Sequence, residues 1–210
     1  MGKVIQFPTP KKRKGSTSRR PAHRRIKYFT REEIRMIRRK VRSLSDLHLQ
    51  RGNTTAVREW MMIDILSSSG LRVSEVADLR CGDLRIGYGA SSLFVRNGKG
   101  GKERVVQIPG SLKIHLKKFL SWKKDRREPT GSDDHLLIGQ RGPISAQGIQ
   151  QIVKKHLKNL GLYEPGKSAH AFRHSYGLEH YRKNRCLRGL QLQLGHASIE
   201  PTTIYADLTD

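Results

Sequence analysis

Acidic residues are scarce in this chain: 18 Asp and Glu stand against 42 Lys and Arg, for a formal net charge of +24. A field of that size draws polyanions from solution and resists self-association. Nucleic acid is the polyanion it points to, with a solvated basic surface as the plainer alternative. Cysteine is nearly absent. Cys81 and Cys186 have no CxxC spacing, which excludes a disulfide framework and argues against a zinc site of paired thiolates. No apolar run approaches the about 20 residues of a spanning helix, and the N-terminus lacks the apolar core of a signal peptide. A soluble, cytoplasmic protein is expected. No internal repeat is visible either, so the length fits one good-sized domain preceded by something different.

That different part is residues 1–25. Apolar periodicity is missing there, and Lys11, Lys12, Arg13, Lys14, Arg19, Arg20, Arg24 and Arg25 crowd among Pro, Ser and Thr. It reads as a basic, disordered arm suited to tracking phosphates beside a duplex, and residues 26–210 read as the folded domain. "FTREEIRMIRRKV" opens that domain, since Thr30 with Glu33 fits a capping box and Ile34, Ile37 and Val41 follow at helical spacing. Thr55 to Leu66 predicts a second helix stopping at "SSSG", and "RVSEVADL" a third. The period then shortens: "SSLFVRN" and "ERVVQIP" flank "GKGGK", a hairpin signal with a cationic tip. Further helices are expected over Leu112–Lys124, Ala146–Leu160, Ala169–Arg182, Leu187–Leu194 and Thr202–Leu208, and "HLLIG" predicts one more short strand. The fold class is α+β, mainly helical with a small antiparallel sheet.

Several residues stand out chemically. Arg72 starts a helix, and Glu75 lies three residues on, where its carboxylate can reach back to a guanidinium. Lys99 sits between glycines that let a backbone approach a ligand, although such a turn is also simply a turn. "SAHAFRHSYG" puts His170 one helical turn from Arg173 and four residues from His174. Two imidazoles at that spacing can hold a metal, but no third ligand falls at motif spacing and the glutamate of an HExxH helix is missing. His174 therefore reads as a residue that packs or supports the site from behind, and His180 as a surface one. His196 lies in a Gly-containing turn, and Tyr205 on the last helix, whose first turn suits Pro201.

Taken in order, "SGLRVSEVADLRCGDL", "GKGGKERVVQIP", "HAFRH" and "LGHASIEPTTIY" resemble the successive signatures of the tyrosine recombinase catalytic domain, the phage-integrase and Xer-like family. The resemblance runs from Thr30 onward. It implies that Arg72, Lys99, His170, Arg173 and His196 surround a scissile DNA phosphate attacked by Tyr205, with Glu75 as the supporting acid.

Physical chemistry accords with that set. The phosphodiester gains about one further negative charge as a nucleophile adds, which suits two guanidiniums. Tyr205 needs a proton acceptor, assigned to His170. The departing 5′ oxygen needs a proton, assigned to Lys99, and His196 donates a hydrogen bond to the phosphate. Side chains supply the positive charge, so neither metal nor other cofactor is expected. The implied function is site-specific recombination through a 3′-phosphotyrosyl link on double-stranded DNA, with further copies of the chain assembling there, in a prokaryotic, phage or mobile-element setting at the nucleoid. A type IB topoisomerase-like relaxing enzyme and a non-cutting DNA-binding regulator are the alternatives. Arg96, Lys102, Arg104, Lys154, Lys155 and Lys158 are candidate phosphate contacts. Members of the family usually carry a helical clamp domain before the catalytic part, and only "ADLTD" follows Tyr205. Weak, steeply salt-dependent DNA binding and a monomer in free solution are therefore expected.

Overall fold

The computed structural model describes residues 26–209 apart from 51, 52, 99 and 140. The basic arm and Lys99 lie outside the described residues. The elements run α1 (Arg31–Gln50), α2 (Thr55–Ser69), α3 (Val73–Ala77), β1 (Leu84–Arg85), β2 (Ser92–Val95), β3 (Arg104–Gln107), α4 (Gly110–Asp125), β4 (Ile138–Gly139), β5 (Gly142–Pro143), α5 (Ala146–Asn159), α6 (Ala169–Asn184), α7 (Leu187–Leu194) and α8 (Glu200–Asp207). The fold is mainly helical α+β, as the periodicity predicts. A short 3-10 turn at Cys81–Asp83 carried no sequence signal.

Local chemistry sets most boundaries. The amide of Thr30 donates to Glu33 Oε2 at 2.8 Å and the amide of Glu33 to Thr30 Oγ1 at 3.2 Å, the reciprocal pair of a capping box. Ile37, Val41 and Ser45 then form the buried stripe of α1. Helix α2 is buried on nearly every side and packs against α1, α4 and α6, which explains why its apolar residues follow no single face. It ends at Gly70, whose φ of +69° is open to glycine at little cost. Ser145 caps α5 by accepting from the amide of Gly148 at 3.1 Å.

The main sheet is antiparallel in the order β1-β2-β3, with Leu93 opposite Val106 and Val95 opposite Arg104. "HLLIG" contributes only the two-residue β4, paired with β5, plus an isolated bridge from His135 to Arg80. Buried apolar side chains form two clusters. The larger runs from Phe29 through α2 and the sheet to Phe172. The smaller joins Leu178, Leu190, Leu194 and Tyr205 and fixes α6, α7 and α8 to one another. Helix α7 is also tied to the edge of the sheet: the Gln193 side chain accepts from the Gln107 amide at 3.1 Å and donates to its carbonyl at 2.7 Å.

Candidate active site

Glu75 is the buried centre of the site, with its side chain only 1% exposed. As the N3 residue of α3 it accepts from the main-chain amide of Arg72 at 2.8 Å, while Arg72 Nη1 donates to Oε1, also at 2.8 Å. Arg104, from β3, donates through Nη1 to Oε1 and through Nη2 to Oε2, each at 2.8 Å. Burial pushes the Glu75 carboxyl up, but the hydrogen bonds and charge of Arg104, followed by the hydrogen bonds of Arg72, override it and hold the pKa at about 2. Arg104, expected to meet a phosphate, is thus engaged with a carboxylate inside the protein. Its separation from Glu75 in sequence hid that pairing.

The second guanidinium comes from α6. Arg173 is 3% exposed, and it donates to the carbonyl of Gly70 at 2.7 Å and to that of Leu194 at 2.6 Å. Arg72 Nη2 donates to the next carbonyl, Gly195, at 3.2 Å. Helix α7 ends here, so its last carbonyls lack helical partners and carry the negative end of the dipole. Arginines from two distant stretches meet on that one turn. Burial, with the charge of Arg72 second, lowers Arg173 to about 10, which leaves it cationic at neutral pH.

Histidines line the same helix and turn. The His170 and His174 rings lie edge to face with centroids 4.7 Å apart. His174 Nδ1 lies 3.1 Å from Tyr205 Oη. His196 Nδ1 lies 2.8 Å from Thr202 Oγ1 at the start of α8. All three imidazoles are held in the neutral form, first by burial and then by neighbouring cations and rings, and His174 and His196 fall to about 4. Tyr205 is 1% exposed, and burial pushes its phenol up to about 12 against the smaller, opposing pull of Arg173.

One contact goes beyond the sequence reading. In its buried seat the phenol meets His174, expected to pack or to support the site from behind, and not His170. Helical spacing places both imidazoles on the face of α6 that also bears Gly177, and only the packing of α8 decides between them. His180 is half-buried beside Tyr176, with ring centroids 5.8 Å apart. Among the described residues, no group of three or more His, Cys, Asp or Glu side chains is placed to hold a metal ion.

The remaining basic candidates separate. Arg96 is paired with the buried Asp83 at 2.6 Å, and Lys155 with the buried Glu59, so both are partly committed within the protein. Lys102 is exposed at the hairpin turn, where its carbonyl accepts from the Gly98 amide at 3.0 Å. Lys154 and Lys158 are exposed on α5 and lie over Tyr163, their Nζ atoms 5.2 and 5.6 Å from its ring centroid. No helix among the described residues is long and apolar enough to cross a membrane.

Comparison with known proteins adds the family. The chain is 32% identical over 156 residues to "Tyrosine recombinase XerD" of Halalkalibacterium halodurans, covering 73% of this chain and 50% of that protein. It is 31% identical over 157 residues to "Tyrosine recombinase XerA" of Pyrococcus horikoshii, covering 73% and 51%. The chain therefore spans about half the length of the curated relatives it matches. Among solved structures it resembles a XerA recombinase, with a TM-score of 0.71 at 24% identity over 87% of this chain and 61% of that one. It also resembles a XerH site-specific recombinase bound to its difH substrate, with a TM-score of 0.70 at 24% identity over 85% and 49%. The family model described as the phage integrase family matches residues 28–210, and the chain belongs to that family.

Proposed function

We propose that this chain is the catalytic domain of a site-specific DNA recombinase that cuts and rejoins strands through a 3′-phosphotyrosyl link, with neither a metal nor a nucleotide cofactor. The observation that carries this reading is the meeting of Arg72 and Arg173, which donate to the consecutive carbonyls of Gly195 and Leu194. Two fixed forks at one turn match the two non-bridging oxygens of a phosphodiester, and their charge opposes the negative charge that develops on attack. The net charge of +24 and membership of the phage integrase family support double-stranded DNA as the partner.

In this reaction Tyr205 Oη forms a bond to phosphorus while the bond to the 5′ oxygen breaks. The phenol proton passes to His170, kept unprotonated by the packing around its ring and by Arg173 and Arg72. Lys99 gives the leaving 5′ oxygen its proton, and His196 donates to a phosphate oxygen. Attack by a 5′ hydroxyl then breaks the phosphotyrosyl bond, returns the phenol and reseals a strand, so the energy of the diester is conserved and no ATP is consumed. Tyr205 must leave its buried seat first, because a phenol at about 12 bonded to His174 is a poor nucleophile. Exposed Lys102, Lys154 and Lys158 meet backbone phosphates, and the basic arm at residues 1–25 adds more. Copies of the chain assemble on DNA, and the setting is the nucleoid of a prokaryote or a mobile element.

The test is a nicked suicide duplex that traps the adduct, followed by mass spectrometry. A recombinase gives a site-selective adduct on Tyr205 and joins a partner strand, and Tyr205→Phe gives none. An adduct with little site choice and no joining points to a relaxing enzyme, and no adduct from the unaltered chain points to a regulator that binds without cutting; either outcome overturns the proposal.

A further inference from the structure

Arg104 turns its guanidinium into the protein, where it meets three segments at once. Its fork grips both oxygens of Glu75 at 2.8 Å, and Nε faces the carbonyl of Gln193 at 3.4 Å. Two glycines border it. A Cβ on Gly195 would come within 2.8 Å of Cδ and Nε, whereas one on Gly98 would meet the Lys102 carbonyl oxygen at 2.4 Å and Nη1 at 3.2 Å. Gly98 immediately precedes Lys99, Gly195 immediately precedes His196, and Glu75 is the carboxylate that holds Arg72. One side chain, 12% exposed, therefore abuts the neighbours of three residues assigned to the reaction.

We propose that Arg104 is a positioning residue: seated between Glu75, Gly98 and Gly195, it fixes Arg72, the backbone at Gly98 and the His196 turn relative to one another without itself contacting DNA. The inference rests on the strand-cleaving reading of the site. Charge gives the mechanism. Glu75 carries one negative charge and faces two guanidiniums. Because Arg104 occupies both of its oxygens, Arg72 gives the carboxylate a single side-chain N–H, gives the Gly195 carbonyl another through Nη2 and keeps its remaining N–H groups for the phosphate. Without Arg104, Glu75 would claim the Arg72 fork as a bidentate partner and turn it from the substrate. Lysine cannot replace Arg104, since an ammonium is a point charge with no planar fork to span two oxygens and stack against two glycines.

Single-turnover adduct formation on the suicide duplex and DNA affinity across a salt series test this in the unaltered chain, Arg104→Lys and Gly195→Ala, with folding followed by circular dichroism. Arg104→Lys is expected to slow adduct formation by about tenfold or more while the dissociation constant stays within about twofold and the salt slope is unchanged. Gly195→Ala leaves Arg104 in the chain but crowds it, because the three nearest atoms its Cβ would meet all belong to Arg104, so it slows adduct formation with the same unchanged binding; it also carries the test should Arg104→Lys not fold. A salt slope smaller by about 0.9 in Arg104→Lys would mark a phosphate contact and overturn the proposal, as would unaltered rates in both variants. If the unaltered chain forms no adduct, the recombinase reading fails and takes this inference with it. If it does form one, and Arg104→Lys forms it equally fast, only the positioning role is lost.

Discussion

The ring of Tyr205 rests against the backbone of Gly177: a Cβ at that position would sit 2.6 Å from both Cε1 and Cζ of the tyrosine. A glycine in mid-helix ordinarily weakens the helix. Here it opens the seat in which the phenol is buried.

Gly177→Ala should therefore unseat the tyrosine. The expected cost is about 1–3 kcal/mol from overpacking, read from urea unfolding. The Tyr205 phenol, isolated by difference against Tyr205→Phe, should titrate lower than about 12 and closer to its unperturbed value of about 10. An alanine variant whose phenol titrates as before would show that the ring does not depend on that gap.

Removing the Glu75 carboxylate should be costly. Glu75→Ala strips Arg104 of both its short partners and Arg72 of two, leaving charges uncompensated, with an expected loss of about 3–5 kcal/mol in chemical denaturation. Glu75→Gln, which keeps an acceptor, should lose less. Equal losses would mean that packing and not charge dominates at this position.

Acid should weaken the fold in two stages. His174 and His196 titrate at about 4 in the folded chain and near 6.5 when unfolded, so the unfolded chain binds more protons between those values. Their contribution is complete above pH 6.5 and is lost as the pH falls toward 4. Glu75, at about 2 folded against 4.5 unfolded, adds a further loss as the pH falls from 4.5 toward 2. Melting temperature measured against pH should decline through the first window, and a His174→Gln, His196→Gln double variant should flatten it.

Affinity for duplex DNA should fall steeply with salt, and Lys154→Ala and Lys158→Ala should each reduce the log–log slope by about 0.9 if they meet phosphates. Their exposure on α5 makes them the clearest candidates. Unchanged slopes in both would place the DNA elsewhere. Light scattering of the DNA-free chain is expected to give a monomer.

Much of this fold was legible because its signals are local. Thr30 and Glu33 announce a helix start within four residues, Gly70 a helix stop, and the glycines around Lys99 a hairpin. What stayed hidden depends on tertiary choice. An arginine in a basic chain suits a phosphate and a buried carboxylate equally well, and nothing near Arg104 in sequence points to Glu75, 29 residues away. Lys155 and Glu59 repeat the case at a separation of 96. His170 and His174 share a helical face, and which of them touches Tyr205 follows from the seating of a two-turn helix that neither can foretell.

Gln193 has one more effect. β3 is an outer strand, rich in the β-branched residues that recruit foreign strands, yet the main-chain donor and acceptor of Gln107 are already satisfied by that amide. A border of four residues with one outward pair already occupied gives an incoming chain little to zip onto. A side chain thereby guards the sheet against edge-to-edge aggregation.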